Sequence, residues 1–153
     1  MDIQDILTLK GVVPRLVATS KKHAIEQVAR AAAEVSGLDS RFVFEVLLER
    51  ERLGSTGVGH GIAIPHGKFA GLDRIHAVFA RLDQPVDFDA TDGAPVDLMF
   101  VLLAPESAGA DHLKALSRVS RLLRDRTVCD RLRGATTREE IHGVLTHGHA
   151  QAA

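Results

Sequence analysis

Apolar residues recur along this 153-residue chain at two spacings, and the switches between them outline most of its elements. Ala24, Ile25, Val28, Ala29, Ala32 and Val35 return every three or four residues, which predicts a helix over 21–36 with Ser20 as N-cap and Gly37 at its close. Asp39 and Ser40 offer a second cap. Phe42, Val43, Val46 and Leu47 then make an inward stripe to about Leu53, with Gly54 as terminator and Arg50 in the last turn. Ahead of these, Ile3, Ile6 and Leu7 make one helical face, and residues 12–17 are β-rich but hold Pro14, which suits an edge strand.

The second half begins with strand signals. Runs 75–82 and 96–103 are mostly apolar, and the latter, VDLMFVLL, has the continuous character of a central strand covered on both faces. Asp92-Gly93 between them marks a turn. Helical spacing returns over 111–125, with Leu113, Leu116, Val119, Leu122 and Leu123 inward, and over 127–133, with Val128, Cys129 and Leu132 inward. Thr137 and Glu140 form a capping box for a last helix over 141–145. Helices on either side of strands predict an α/β fold: one domain over 1–147, a mixed β-sheet with helices on both faces, and a flexible tail over 148–153.

Composition narrows the classes of function. Hydrophobic residues at 45% and charged residues at 25% suit a chain that folds alone. The formal charge is −1, cations alternate with anions, and the aromatic residues are six Phe without Trp or Tyr, so no footprint for nucleic acid stands out. A lone Cys129 excludes an internal disulfide and a CxxC metal site, and fits a reducing compartment as a small core residue. The chain opens without a basic segment followed by an apolar run, and no stretch approaches the roughly 18 apolar residues a bilayer span needs. The expectation is a cytoplasmic protein with no membrane insertion.

The chemistry concentrates in GSTGVGHGIAIPHG, residues 54–67, where five glycines exclude a helix and 62–64 suit a short strand. Such a stretch can bring backbone N–H groups close to an anion, yet both nucleotide patterns fail. Gly67-Lys68 is followed by Phe69 rather than Ser or Thr, and Gly57, Gly59 and Gly61 do not satisfy G-x-G-x-x-G. What remains is His66, placed by this reading in a loop, with Pro65 before it to hold the chain extended and Gly67 after it to leave the ring open. A neutral imidazole accepts a phosphoryl group near pH 7, and the product is reactive enough to pass it on.

The run RERLGSTGVGHGIAIPHGK, together with FDATDGAPVDLMFVLLAP and HLKALSRVSRLL, resembles the fructose/mannitol-type IIA domain of the bacterial phosphoenolpyruvate-dependent phosphotransferase system. Its wording is most similar to the stand-alone nitrogen-regulatory branch. The resemblance implies the mannitol-type IIA fold and a protein-histidine phosphoryl carrier of the transferase class. His66 matches the phosphorylated histidine, expected to carry the group on Nε2, with Arg50 and His112 as its catalytic neighbours. Ser55, Thr56 and Gly67 match the phosphate-binding positions. Implied partners are an HPr-type donor or its nitrogen-branch counterpart, and regulated targets or a IIB acceptor; no cofactor, metal or nucleotide is implied. His60 departs from the family pattern, where Asn or an acidic residue is more usual.

Blander readings stand beside these. Taken singly, His66 is a loop histidine, Arg50 a solvated charge like Arg52, His112 a capping residue and Ser55-Thr56 turn chemistry. A metal site from His60, His66, His76 and His112 matches no ligand spacing, and His147 and His149 carry no assignment. The alternatives in function are a sugar-specific IIA serving a separate IIB, and a regulator that binds partners without using phosphorylation.

Overall fold

A computed structural model describes residues 2–152, with side chains described over 2–147. The chain runs α1 (Ile3–Ile6), a 3-10 turn (Leu9–Gly11), β1 (Val12–Leu16), α2 (Lys21–Ser36), α3 (Ser40–Arg52), β2 (Gly57–Gly59), β3 (Ile62–Ala63), β4 (His66–Phe69), β5 (His76–Val86), β6 (Val96–Pro105), α4 (Ala110–Arg124), α5 (Arg126–Gly134) and α6 (Arg138–Ala152). The strand order is β1-β5-β6-β3-β2, and β4 also pairs with β6. β1 lies parallel to β5, β5 antiparallel to β6, and β3 and β4 parallel to β6, so the sheet is mixed as expected.

Caps read from the sequence are present as bonds. The Ser20 hydroxyl accepts from His23 N, Gly37 closes α2 at φ 78°, and the Asp39 carboxylate accepts from Phe42 N. Thr137 Oγ1 accepts from Glu140 N at the start of α6. Pro14 sits in the edge strand β1, where a missing ladder donor costs least.

Two hydrophobic layers cover the sheet. On one face Phe79, Phe100, Leu98, Leu102, Ile62 and Ile64 pack against α4, α5, α6 and the opening helix, including Cys129, Leu132 and Ile141. On the other Val78, Ala80, Met99, Val101, Leu103 and Phe69 pack against α2 and α3. β6 is buried at every position but Asp97, which is why its sequence lacks alternation.

Four expectations need correction. His66 opens a strand instead of sitting in a loop, because residues 66–69 find β6 in the same register that 62–63 use. Leu113 points outward and is 69% exposed, its inward place on α4 being taken by His112 and Ala115. β5 continues to Val86 past a bulge between Arg81 and Val86. The last helix runs over Arg138–Ala152 rather than 141–145; the tail expected at 148–153 lies outside the residues whose side chains are described.

The β3–β4 run places the site. Ile62, Ala63, His66, Gly67, Lys68 and Phe69 face Leu98, Met99, Leu102, Leu103, Ala104 and Pro105 with one unbroken offset. Pro65 interrupts the ladder, yet its carbonyl still accepts from Leu102 N at 3.0 Å. Alternation along this run sends Gly67 toward α3, where an added Cβ would lie 2.8 Å from Val46 Cγ1 and 3.2 Å from the Phe69 ring. Gly67 is thus what lets α3 approach the strand, with Phe42 of α3 meeting Phe69 edge-on at 5.7 Å. Gly67→Ala should destabilise the fold by about 1–3 kcal/mol through overpacking, seen as a lower urea midpoint at unchanged slope.

Candidate phosphoryl-acceptor site

His66 is the first residue of β4 and half-buried. Its Nδ1 lies 2.8 Å from the Ile64 carbonyl oxygen. A carbonyl oxygen only accepts, so Nδ1 carries the proton and donates, leaving Nε2 with its lone pair. Burial holds the His66 pKa below the ordinary histidine value; the Ile64 bond works against that, the Arg50 charge reinforces it and the Glu51 charge opposes it. The ring is therefore kept neutral with Nε2 as its basic atom.

Across the cleft stands His112, in the first turn of α4. The two rings meet edge-on, centroids 5.6 Å apart and planes at 86°. His112 is only 6% exposed, and neither ring nitrogen has a hydrogen-bond partner within the protein. A buried polar atom left unpaired costs about 1–3 kcal/mol, so this residue is held at some expense beside His66. Burial lowers its pKa first, and the neighbouring His66 and Lys68 charges lower it further.

Arg50, His66, Gly67 and His112 line one open cleft of about 630 Å³, with Val46, Glu49, Leu53, Lys68, Gly109, Leu113 and Leu116 completing its walls. Arg50 reaches it from the last turn of α3 and donates from Nη1 to the Gly54 carbonyl at 2.9 Å, which leaves other donors of the guanidinium fork available. Lys68 is a cation that sequence reasoning passed over. It lies two residues from His66, so in a strand it shares that residue's face; the signal was hidden by placing His66 in a loop.

Ser55 and Thr56 are placed outside this cleft. The Ser55 hydroxyl donates to the Phe88 carbonyl at 2.7 Å and accepts from Gly57 N. Thr56 is buried and gives both its backbone N–H and its hydroxyl to the Glu51 carboxylate, which also binds Lys21 Nζ at 2.8 Å. Glu51 is itself buried at 6% exposure, and nothing in its charged neighbourhood, ERER, distinguishes it in the sequence.

The remaining candidates separate from the site. His60 occupies the β2–β3 turn at φ 58°, its N–H bonded to Asp92 and its carbonyl to Arg133, which also forks onto Asp97 at 2.8 and 2.9 Å. Arg52 pairs with Glu49 on the surface. Cys129 is buried, donates to the Leu123 carbonyl and has its thiol pKa pushed up by burial. Among the described residues no three His, Cys, Asp or Glu side chains are grouped to hold a metal, and no helix is long and apolar enough to cross a membrane.

Comparison with known proteins identifies the family and the fold. Residues 5–148 match the family described as the phosphoenolpyruvate-dependent sugar phosphotransferase system, EIIA 2. The nitrogen regulatory protein of Bradyrhizobium diazoefficiens is 52% identical over 153 residues, all of both chains. The crystal structure of nitrogen regulatory protein IIA-Ntr from Neisseria meningitidis superposes with a TM-score of 0.89 at 40% identity, covering 94% of this chain and 99% of that one. The mannitol IIA enzyme from Escherichia coli, solved in complex with phosphorylated IIB, is 22% identical with a TM-score of 0.78 over 94% of this chain and 99% of that one, and shares the fold. The chain belongs to the EIIA 2 family of the phosphoenolpyruvate-dependent sugar phosphotransferase system.

Proposed function

We propose that this protein is a phosphocarrier and regulatory IIA component that accepts a phosphoryl group on Nε2 of His66 from an HPr-type donor and passes it on or signals by it. The observation that carries this reading is the pair of histidines held neutral on one cleft, His112 with no protein partner for either buried ring nitrogen, and Arg50 at the cleft's edge. An incoming phosphoryl group offers oxygens to His112, whose ring nitrogens have no partner, and to the donors that Arg50 does not spend on Gly54. Transfer then forms the N–P bond at His66 as the donor's N–P bond breaks in line, and the protein contributes alignment and charge.

Protein partners fit the rim better than small molecules do. Leu53 is 81% exposed and Leu113 69% exposed, and both flank the cleft beside Arg50 and Lys68. Apolar residues beside two cations and one carboxylate, Glu49, suit docking of another protein's phosphohistidine surface, which brings its own apolar contact and negative charge. The 52% identity to a nitrogen regulatory protein, over full length, favours the regulatory branch over a sugar-specific IIA serving a separate IIB. HPr or its nitrogen-branch counterpart is the donor this reading names, and the cytoplasm is the compartment where it operates.

Incubation with phosphoenolpyruvate, enzyme I and an HPr-type donor should add the mass of one phosphoryl group, lost in acid and absent from His66→Ala. Arg50→Ala should keep the fold and slow acceptance roughly a hundredfold, measured by rapid-quench mass analysis. A folded wild type that gains no mass from a competent donor would instead support a regulator that binds without phosphorylation.

The lowered histidine pKa values set two pH dependences. Acceptance needs neutral Nε2, so the rate should hold through the ordinary histidine range near about 6.5 and fall only at lower pH. For stability the sign is opposite in origin: the unfolded chain takes up protons at the ordinary value, before folded His66 and His112 do. Stability is therefore full above about pH 6.5 and declines as pH falls below it, until the folded histidines also protonate. Urea midpoints across this range should show the decline, and His112→Gln should flatten it.

A further inference from the structure

We propose that Glu51 and Thr56 are positioning residues for the nucleophile, setting the tautomer of His66 through the Ile64 backbone; this rests on the reading of His66 as phosphoryl acceptor. The bonds form a continuous chain. The Glu51 carboxylate accepts from Thr56 N at 3.0 and 3.1 Å and from the Thr56 hydroxyl, and it is anchored from α2 by Lys21 Nζ at 2.8 Å. The Thr56 carbonyl in turn accepts from Ile64 N at 3.0 Å. The Ile64 carbonyl then accepts from His66 Nδ1 at 2.8 Å.

The strand explains why this chain reaches the ring. Pro65 turns its carbonyl to β6, so the polar groups of Ile64 face away from β6, its N–H toward Thr56 and its oxygen toward the His66 ring. Ile64 is buried, and both of its backbone groups are thereby placed by one neighbour each. In water a neutral histidine favours the form protonated on Nε2, which has no lone pair there and cannot attack. The site must therefore hold the less favoured tautomer, and a carbonyl fixed in place is the means.

Lys21 extends the chain to a third element. Besides Glu51 it sits 5.2 Å from the centroid of the Phe88 ring, and the Phe88 carbonyl accepts from Ser55. The turn at 55–57 is thus tied to α2, α3 and the segment leading to β6, and it cannot shift without breaking a buried carboxylate contact. Such a contact is costly to leave half-made, which is what makes it a rigid support.

The test is the long-range ¹H–¹⁵N NMR signature of the His66 ring in the unphosphorylated protein, at a pH where the imidazole is neutral, for wild type, Thr56→Val, Thr56→Ser and Glu51→Gln. Wild type should show Nδ1–H; Thr56→Val and Glu51→Gln should show a mixture with Nε2–H, and Thr56→Ser should restore the wild-type pattern. Phosphoryl acceptance by Thr56→Val should fall about tenfold in kcat with the donor KM unchanged. Amide spectra establish that each variant is folded, and near-isosteric Thr56→Val suffices if Glu51→Gln is not. A folded Thr56→Val that retains the pure Nδ1–H signature overturns the proposal, as does a Thr56→Ser that fails to restore it. If wild type accepts no phosphoryl group the carrier reading falls, while the tautomer signature still decides this one.

Discussion

The site depends on one constraint, the continuous parallel register of residues 62–69 against β6. Because the offset never changes across Pro65, period-two alternation carries through the break. Ile62 and Ile64 anchor one face under α4, and His66 and Lys68 emerge on that face where the strand runs out from cover. Ala63, Gly67 and Phe69 take the other face, where α3 closes down on the missing side chain of Gly67. A slip of one residue would bury Lys68 against α3 and expose Phe69, so the core that stabilises the sheet also fixes where His66 points.

Burial then supplies the chemistry. His66 and His112 have the same direction of shift for the same leading reason, and neither is beside a carboxylate strong enough to reverse it. Two neutral imidazoles a ring's width apart, with Arg50, Lys68 and Glu49 along the cleft, make a site with one net positive charge around an uncharged His66 ring. That combination suits a phosphoryl dianion without protonating the nitrogen proposed to attack it. The glycine-rich segment contributes less as an anion cradle than as a hinge of turns: Gly59 and Gly61 adopt φ of 100° and 81° around the β2–β3 turn, where the Arg133–Asp97 fork leaves no room for a side chain at 61.

Much of this was legible in the sequence because it is local. Caps at Ser20, Asp39 and Thr137, the edge strand with Pro14, and the doubly buried β6 each follow from residue types and spacing. The approach of Arg50, His66 and His112 was legible only through family resemblance, since three residues from α3, β4 and α4 carry no mutual spacing. What stayed hidden depends on pairing with distant strands. A four-residue strand that starts after Ile-Pro and contains Gly has no periodic signal of its own, and it exists because β6 is there to receive it. The same applies to Leu113, whose helical position looked inward until the cleft gave that part of the face to solvent. Glu51 could not be singled out from ERER, because burial of one carboxylate among four charges is decided by where α3 ends against Thr56.

A carrier, unlike an enzyme that keeps its group to the end of a reaction, must hold a phosphoryl group and also let it go. Strong closure would defeat it: each 1.4 kcal/mol of extra grip on the bound state shifts the transfer equilibrium tenfold toward retention. The structure keeps the grip modest in a specific way. The buried neighbour of His66, His112, is neutral, whereas the cations Arg50 and Lys68 stand along the open cleft, Arg50 with one arm already spent on Gly54. Screening weakens that charge pair in the resting state and strengthens it only when a docked protein excludes water from the cleft. Stabilisation is then greatest while donor or acceptor is bound, which is when transfer occurs, and least in the free phosphoprotein, which must remain ready to give the group away.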